Sequence, residues 1–203
     1  MSNLTRRGAL LGALCALSGC SAITSINAAT KPLNTYDLRP AAGSKKGRRT
    51  SRTLLVARPQ ASAALTTDRM MIKPDAASIT YLPDARWSDE IPAMVQSLLI
   101  RSISETGRVA YVGRSDAGPI PDNALLVRID GFEVIALADD IFEVQVDFDL
   151  TIINDKDQRV VGSRRFSQSQ QIASDNPKEI VATFQTVLNE LLPEMTNWTI
   201  GRL

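Results

Sequence analysis

The clearest hydrophobic pattern in the chain lies between Ile79 and Ile103. After a short β-type run, apolar residues recur three and four positions apart, at Ile91, Met94, Val95, Leu98, Leu99 and Ile103. That spacing puts them on one face at 3.6 residues per turn and predicts an amphipathic helix. Pro92 is tolerated in the first turn, and Gly107 predicts the end of the helix. A helix with one apolar face needs a sheet to cover.

The second half of the chain supplies the strands of that sheet. From Phe142 to Ile152, apolar residues alternate with polar ones, which is typical of a strand with one buried face. Two further β-type runs, 125–137 and 160–172, flank it across short connections at 138–140 and 154–157. The three runs predict an antiparallel meander, in which Gly131 marks a bulge.

A second amphipathic helix follows the meander. Asn176 predicts its N-cap, Pro177 its first position, and Glu179 the third position of a capping box. The predicted fold class is therefore α/β: a two-layer sandwich, with a mixed sheet and two main amphipathic helices on one face. Phe148 is expected to point towards the helices, and its neighbour Asp147 towards water, where Asp147→Ala should change stability by about 0.5 kcal/mol or less.

The chain divides into three parts by composition. Residues 1–19 read as a lipoprotein signal peptide, because a basic start and a short apolar run precede Leu17-Ser18-Gly19-Cys20, a sequence typical of a bacterial lipobox. Residues 20–52 are rich in Ser, Thr, Ala, Gly and Pro and predict a flexible tether with one short edge strand near Tyr36. The α/β domain is predicted at 53–203.

Cys20 is the predicted lipid attachment site. Two or more acyl chains on it would anchor the mature protein stably to a membrane. Ser21 favours the periplasmic face of the outer membrane, with the inner membrane as the alternative. Arg6 and Arg7 fit a plain basic n-region better than a twin-arginine signal, because Ala9 departs from the latter pattern.

The predicted tether ends in a basic run, with Lys45, Lys46, Arg48, Arg49 and Arg52 separated by Gly, Thr and Ser. One interpretation is contact with anionic lipid head groups. The other, which the composition favours, is a solvated loop.

The composition argues against catalysis, metal binding and nucleic-acid binding. The sequence has no histidine, which excludes Ser-His-Asp and Cys-His catalysis and His-ligated metal sites. The formal net charge is +1, so bulk charge gives no sign of a nucleic-acid partner. The acidic pair Asp139-Asp140 is typical of a hairpin turn, and the pair Asp147/Asp149 of the solvent-facing side of a strand, so neither indicates a catalytic site. We therefore expect no cofactor, no metal and no enzymatic activity.

Four features occur together in order: the lipobox, the Tyr36-x-Leu38 strand, the Ile79-x-Tyr81 strand that leads to Arg86-Trp87, and the helix that follows. In these the chain resembles the family of ABC-type transport auxiliary lipoproteins. The resemblance implies an α/β fold, no catalytic role, and partners that include an MCE-domain protein and an ABC permease and ATPase. It also implies a role in moving phospholipids or other hydrophobic molecules across the envelope. The alternative is a lipoprotein of envelope or secretion-apparatus assembly.

The predicted partner contact lies at the start of the first helix. Arg86, Trp87 and the nearby pair Met70-Met71 combine a charge with apolar area, which is the composition of interface anchors. A structural role for Trp87, packing across the first helical turn, is equally open. The loop 113–122 is the next surface to test.

Overall fold

The computed structural model describes residues 32–114, 118–138 and 140–203. The predicted signal peptide, Cys20 and Asp139 therefore lie outside the described residues. Asn34–Leu203 forms one compact unit. Its core is a single cluster of buried apolar side chains between a sheet and two helices.

The sheet has nine strands. In chain order they are β1 (Asn34–Tyr36), β2 (Thr50–Val56), β3 (Gln60–Ala61), β4 (Arg69–Lys73), β5 (Thr80–Trp87), β6 (Val109–Arg114), β7 (Asn123–Ala136), β8 (Phe142–Asn154) and β9 (Val160–Ile172). The helices of the described residues are α1 (Ile91–Ser104), between β5 and β6, and α2 (Pro177–Ile200), after β9. The predicted mixed sheet and pair of helices are confirmed.

β7 organises the sheet. One of its edges pairs with β8 along its whole length, and β8 pairs with β9, so the predicted antiparallel meander is confirmed. The opposite edge of β7 pairs in parallel with β2, β3 and β4 in turn. β6 extends the sheet beyond β2, while β5 and β1 extend it beyond β4.

A bulge in β7 changes which residues face the core. The register shifts between Ile129 and Gly131, as the glycine predicts. Before the bulge the odd-numbered residues Leu125, Val127 and Ile129 are buried in the core, and after it the even-numbered Phe132 and Val134 are.

Both helices cover the same face of the sheet. The predicted apolar residues of α1 are all buried, and Pro92 lies in its first turn. The side chain of Asn176 caps α2, accepting a hydrogen bond from the Lys178 backbone N–H at 2.9 Å. Phe148 is fully buried, which confirms its predicted facing.

The predicted boundary of the domain at residue 53 is corrected by the segment 37–44, which we call the strap. The strap crosses both helices: the Ala41 N–H donates to Ser102 Oγ of α1 at 3.2 Å, and the Ser44 N–H donates to Asn197 Oδ1 of α2 at 2.8 Å. Leu38 is 1% exposed. Residues 34–52, read from composition as tether, thus belong to the folded domain.

Candidate interaction surfaces

Three of the four residues predicted to contact a partner are buried. Trp87 and Met70 are each 1% exposed and Met71 is 3% exposed, and all three belong to the core cluster. In this structure their side chains are closed to a partner on the surface of the domain, and the role that it shows for them is in the core. The aromatic contacts of Trp87 lie with β7 and α2.

Trp87 is part of an aromatic cluster that joins the sheet to α2. Its ring meets Phe132 of β7 and Phe184 of α2 edge to face, with centroids 5.7 and 5.2 Å away. Phe132 and Phe184 stack at 4.7 Å, and Phe148 of β8 stacks on Phe132 at 6.2 Å. These distances lie in the range in which aromatic pairs attract beyond simple burial. The role of Trp87 in this structure is therefore to hold the two layers together.

Arg86, the fourth predicted residue, is accessible, with 47% of its side chain exposed. Its Nε donates to Thr35 Oγ1 at 3.1 Å, and its guanidinium lies 3.6 Å from the carboxylate of Asp68. Arg86 thus links β1 to the rest of the sheet and still presents charge to solvent. Partner contact through Arg86 remains a prediction.

The sheet face opposite the helices carries two covered carboxylates that the alternation pattern does not reveal. Asp147, predicted to be in water, is 3% exposed, and Glu133 is 2% exposed. Asp147 accepts two hydrogen bonds from Arg165 Nε, at 2.8 and 3.1 Å, and a further one from its terminal nitrogen. Glu133 pairs with Lys73 Nζ at 2.7 Å and accepts from the Phe132 N–H at 2.6 Å. Long basic side chains from neighbouring strands therefore cover this face.

Gly131 leaves room for these two carboxylates beside β7. A Cβ at this position would lie 3.3 Å from the Cβ of Asp147 and 3.4 Å from Glu133 Oε2. The glycine at the bulge therefore lets both acidic side chains pack beside the backbone of β7.

Ion pairing shifts the pKa of several groups on this face. The hydrogen bonds to Asp147 raise the pKa of Arg165. Hydrogen bonding to Arg128, at 2.7 and 2.8 Å, lowers the pKa of Asp130. A carboxylate with a lowered pKa stabilises the fold above its unfolded-state pKa, and that contribution disappears as the pH falls through the folded-state value.

The covered position of Asp147 changes the expected effect of removing it. Asp147→Ala is expected to lower the free energy of unfolding by about 1.5–3 kcal/mol, the range for hydrogen bonds to a charged group. Gln145→Ala, on the same face of β8 and half-buried, is the control and should cost about 0.5 kcal/mol or less. Urea denaturation of both variants tests this, and equal midpoints would show that the pair with Arg165 contributes nothing.

Among the cavities lined by described residues, three are shallow and open on the surface. One, of about 220 Å³, lies on the outer sheet face between Arg58, Arg128 and Asp149. Another, of about 240 Å³, lies between the strap and α1 beside Asp37 and Arg101, and a third, of about 260 Å³, lies near Phe142 and Asp175. All three are smaller than the roughly 300–1,000 Å³ typical of small-molecule sites.

Within residues 32–114, 118–138 and 140–203, no three Cys, Asp or Glu side chains come together as metal ligands. Neither α1 nor α2 combines the length and the apolar composition needed to cross a membrane.

Comparison with known proteins identifies the family. A family model described as "ABC-type transport auxiliary lipoprotein component" matches residues 36–196. An uncharacterized protein of Bradyrhizobium diazoefficiens is 30% identical over 187 residues, which cover 91% of this chain and 49% of that protein. The chain thus spans about half the length of this curated relative.

Solved structures show the same fold. The crystal structure of protein XCC0632 from Xanthomonas campestris superposes with a TM-score of 0.75 at 22% identity, covering 84% of this chain and 96% of that one. The hypothetical protein CT253 from Chlamydia trachomatis superposes with a TM-score of 0.50 at 9% identity, covering 75% and 98%. At these identities the likeness concerns the fold alone.

Proposed function

Because this chain belongs to the family of ABC-type transport auxiliary lipoprotein components, we propose that it is a periplasmic accessory subunit of an ABC transporter that contains an MCE-domain protein. The transporter moves phospholipids or other hydrophobic molecules across the envelope. The observation that carries the proposal is the family match over residues 36–196, which covers almost all of the compact unit. Family membership supports a location at a membrane of the cell envelope and an association with an ABC transport system.

The proposed anchor is acylated Cys20, with the outer membrane as its location. Leu17-Ser18-Gly19-Cys20 supports acylation, and Ser21 supports the outer membrane over the inner one. The anchor limits the domain to a thin layer of the periplasm, in which even a modest affinity for a membrane-bound transporter keeps the two together.

The subunit acts by binding and not by catalysis. The chain has no histidine to serve as a general base for its serines and threonines. The covered carboxylates Asp147 and Glu133 are engaged by Arg165 and Lys73, as expected of groups that stabilise the sheet.

Affinity purification of the natively lipidated protein tests the proposal. The expected result is co-purification of a permease, an ATPase and an MCE-domain protein, identified by mass spectrometry. Recovery of envelope-assembly or secretion-apparatus proteins in their place would support the alternative function and contradict this one.

Arg86→Glu probes the partner contact in the same experiment. Reversal of an accessible interface charge is expected to reduce the co-purified transporter about tenfold or more. The loss of the exposed pair with Asp68 should cost less than about 1 kcal/mol of stability. Arg159→Glu, on the β8–β9 turn with 75% of its side chain exposed, is the matched charge reversal and should leave co-purification unchanged. Equal recovery with Arg86→Glu and wild type would show that the interface lies elsewhere.

A further inference from the structure

One stretch near the start of the folded unit is rich in positive charge and has no acidic residue. Residues 38–67 contain seven Lys and Arg and no Asp or Glu. Within this stretch Lys45, Lys46, Arg48 and Arg49 are all exposed. Across the part of the chain that the structure describes, no ion pair involves any of the four. We call these four residues, with Arg108, the basic end.

The backbone of the basic end is held in place. The Arg108 guanidinium donates to the carbonyl oxygens of Arg48, at 3.2 Å, and Ser44, at 3.4 Å. The Thr50 N–H donates to the Arg108 carbonyl at 2.8 Å, which joins the start of β2 to the start of β6. The basic side chains therefore project from a fixed platform, and docking them requires little further ordering of the backbone.

Exposed apolar side chains lie at the same end of the sheet. Ile120 is 91% exposed, Val160 58% and Val161 41%. Hydrogen bonds from Asp122 to Thr53 and from Asp155 to Asp122, each 3.0 Å long, bring the β6–β7 loop and the β8–β9 turn beside β2. We call Ile120, Val160 and Val161 the apolar rim.

The acidic groups at this end of the domain do not neutralise the positive charge of the basic end. Asp122 lies 3.9 Å from Arg52, and Asp157 lies 3.9 Å from Arg159, so both carboxylates have a cation of their own. Of the acidic groups that the structure describes at this end, Glu105 and Asp155 remain. The excess charge is therefore positive and belongs to the basic end.

We propose that this end of the domain docks onto an anionic lipid surface, with the basic end at the head groups and Ile120 entering the interfacial layer. Cations at the same end of the domain as an exposed aliphatic side chain match both the charge and the apolar region of such a surface. This proposal rests on the proposed function in one respect: the lipid anchor keeps the domain close to the membrane. Thirteen residues separate Cys20 from Asn34, and an extended chain of that length spans at most about 45 Å. Docking would orient the domain on its membrane.

A fluorescent probe on Ile120 tests the proposal. Ile120→Cys supplies a single reactive thiol, since acylated Cys20 cannot react and Cys15 lies in the signal peptide. The lipidated protein carrying an NBD probe is reconstituted in vesicles of phosphatidylcholine, with or without one quarter phosphatidylglycerol. The expected result is a blue shift of NBD emission in the anionic vesicles only, reversed at 1 M salt, where the screening length is about 3 Å.

Two matched controls locate the effect. Leu137→Cys places the probe on another exposed apolar residue, 41% exposed and at the opposite end of β7, where no shift is expected. Lys45→Glu with Lys46→Glu should abolish the shift at Ile120, whereas Arg39→Glu with Lys178→Glu, two exposed residues away from this end, should preserve it. Equal emission in the two kinds of vesicle, or a shift that survives the Lys45/Lys46 reversal, would overturn the proposal.

The mass of the same preparation reports acylation separately. If Cys20 proves unacylated, the anchor fails but docking remains testable: Cys20→Ser protein carrying the probe is added to the vesicles from solution. A shift in anionic vesicles then supports docking without an anchor, and its absence overturns docking.

Discussion

Trp87→Ala is expected to lower the free energy of unfolding by about 3–5 kcal/mol, the usual cost of emptying a buried aromatic site. The substitution removes both edge-to-face contacts, with Phe132 and with Phe184, and leaves a cavity between β7 and α2. Because Phe184 belongs to α2, loss of the ring should loosen the packing of that helix on the sheet. Urea denaturation of the full mature chain, followed by near-UV circular dichroism, measures the effect.

The neighbouring residue provides the control for this substitution. Arg86→Ala changes the adjacent position of β5, whose side chain is about half exposed, and should cost less than about 1 kcal/mol. Similar midpoints for Trp87→Ala and Arg86→Ala would contradict the placement of Trp87 in the core.

Cys20→Ala is expected to remove the protein from the membrane fraction and to remove the mass of the acyl chains. Stable anchorage needs two or more acyl chains. The apolar run from Gly8 to Leu17 is too short to replace them as a membrane-spanning helix. Fractionation followed by intact mass measurement tests both parts of the expectation.

Cys15→Ala is the matched control, because Cys15 lies in the same leader and is predicted to be discarded with it. This variant should stay in the membrane fraction with the wild-type mass. Continued membrane association of Cys20→Ala with an unchanged mass would rule out acylation at Cys20.

The sequence predicts those parts of the fold that depend on local periodicity. The spacing along Ile91–Ser104 and the alternation along Phe142–Ile152 each give an element and its buried face. Gly131 gives the bulge. Such a pattern shows which residues lie on the same face of one helix or strand, and the sequence of that segment alone is enough to read it.

The residues whose burial the sequence did not predict are held by contacts between distant segments of the chain. The neighbours of Trp87 are on β7 and α2, so nothing near Arg86-Trp87 in the sequence distinguishes a core aromatic from an interface anchor. Alternation places Asp147 on the outer face, but its burial comes from Arg165 on the next strand. The strap has the composition of a linker and is ordered because two helices offer it a surface.

The strap also constrains the order in which the molecule can be completed. Arg39 and Ser44 lie near the start of the domain, yet their partners Gln185 and Asn197 follow 146 and 153 residues later. Until α2 packs on the sheet, the core around Leu38 is incomplete, and the apolar side chains of the meander have no cover on the α2 side. Contacts this distant in sequence form slowly and leave apolar surface exposed meanwhile. The folding chain is therefore most prone to aggregation when the sheet has formed and α2, one of its two covering helices, has not yet packed on it.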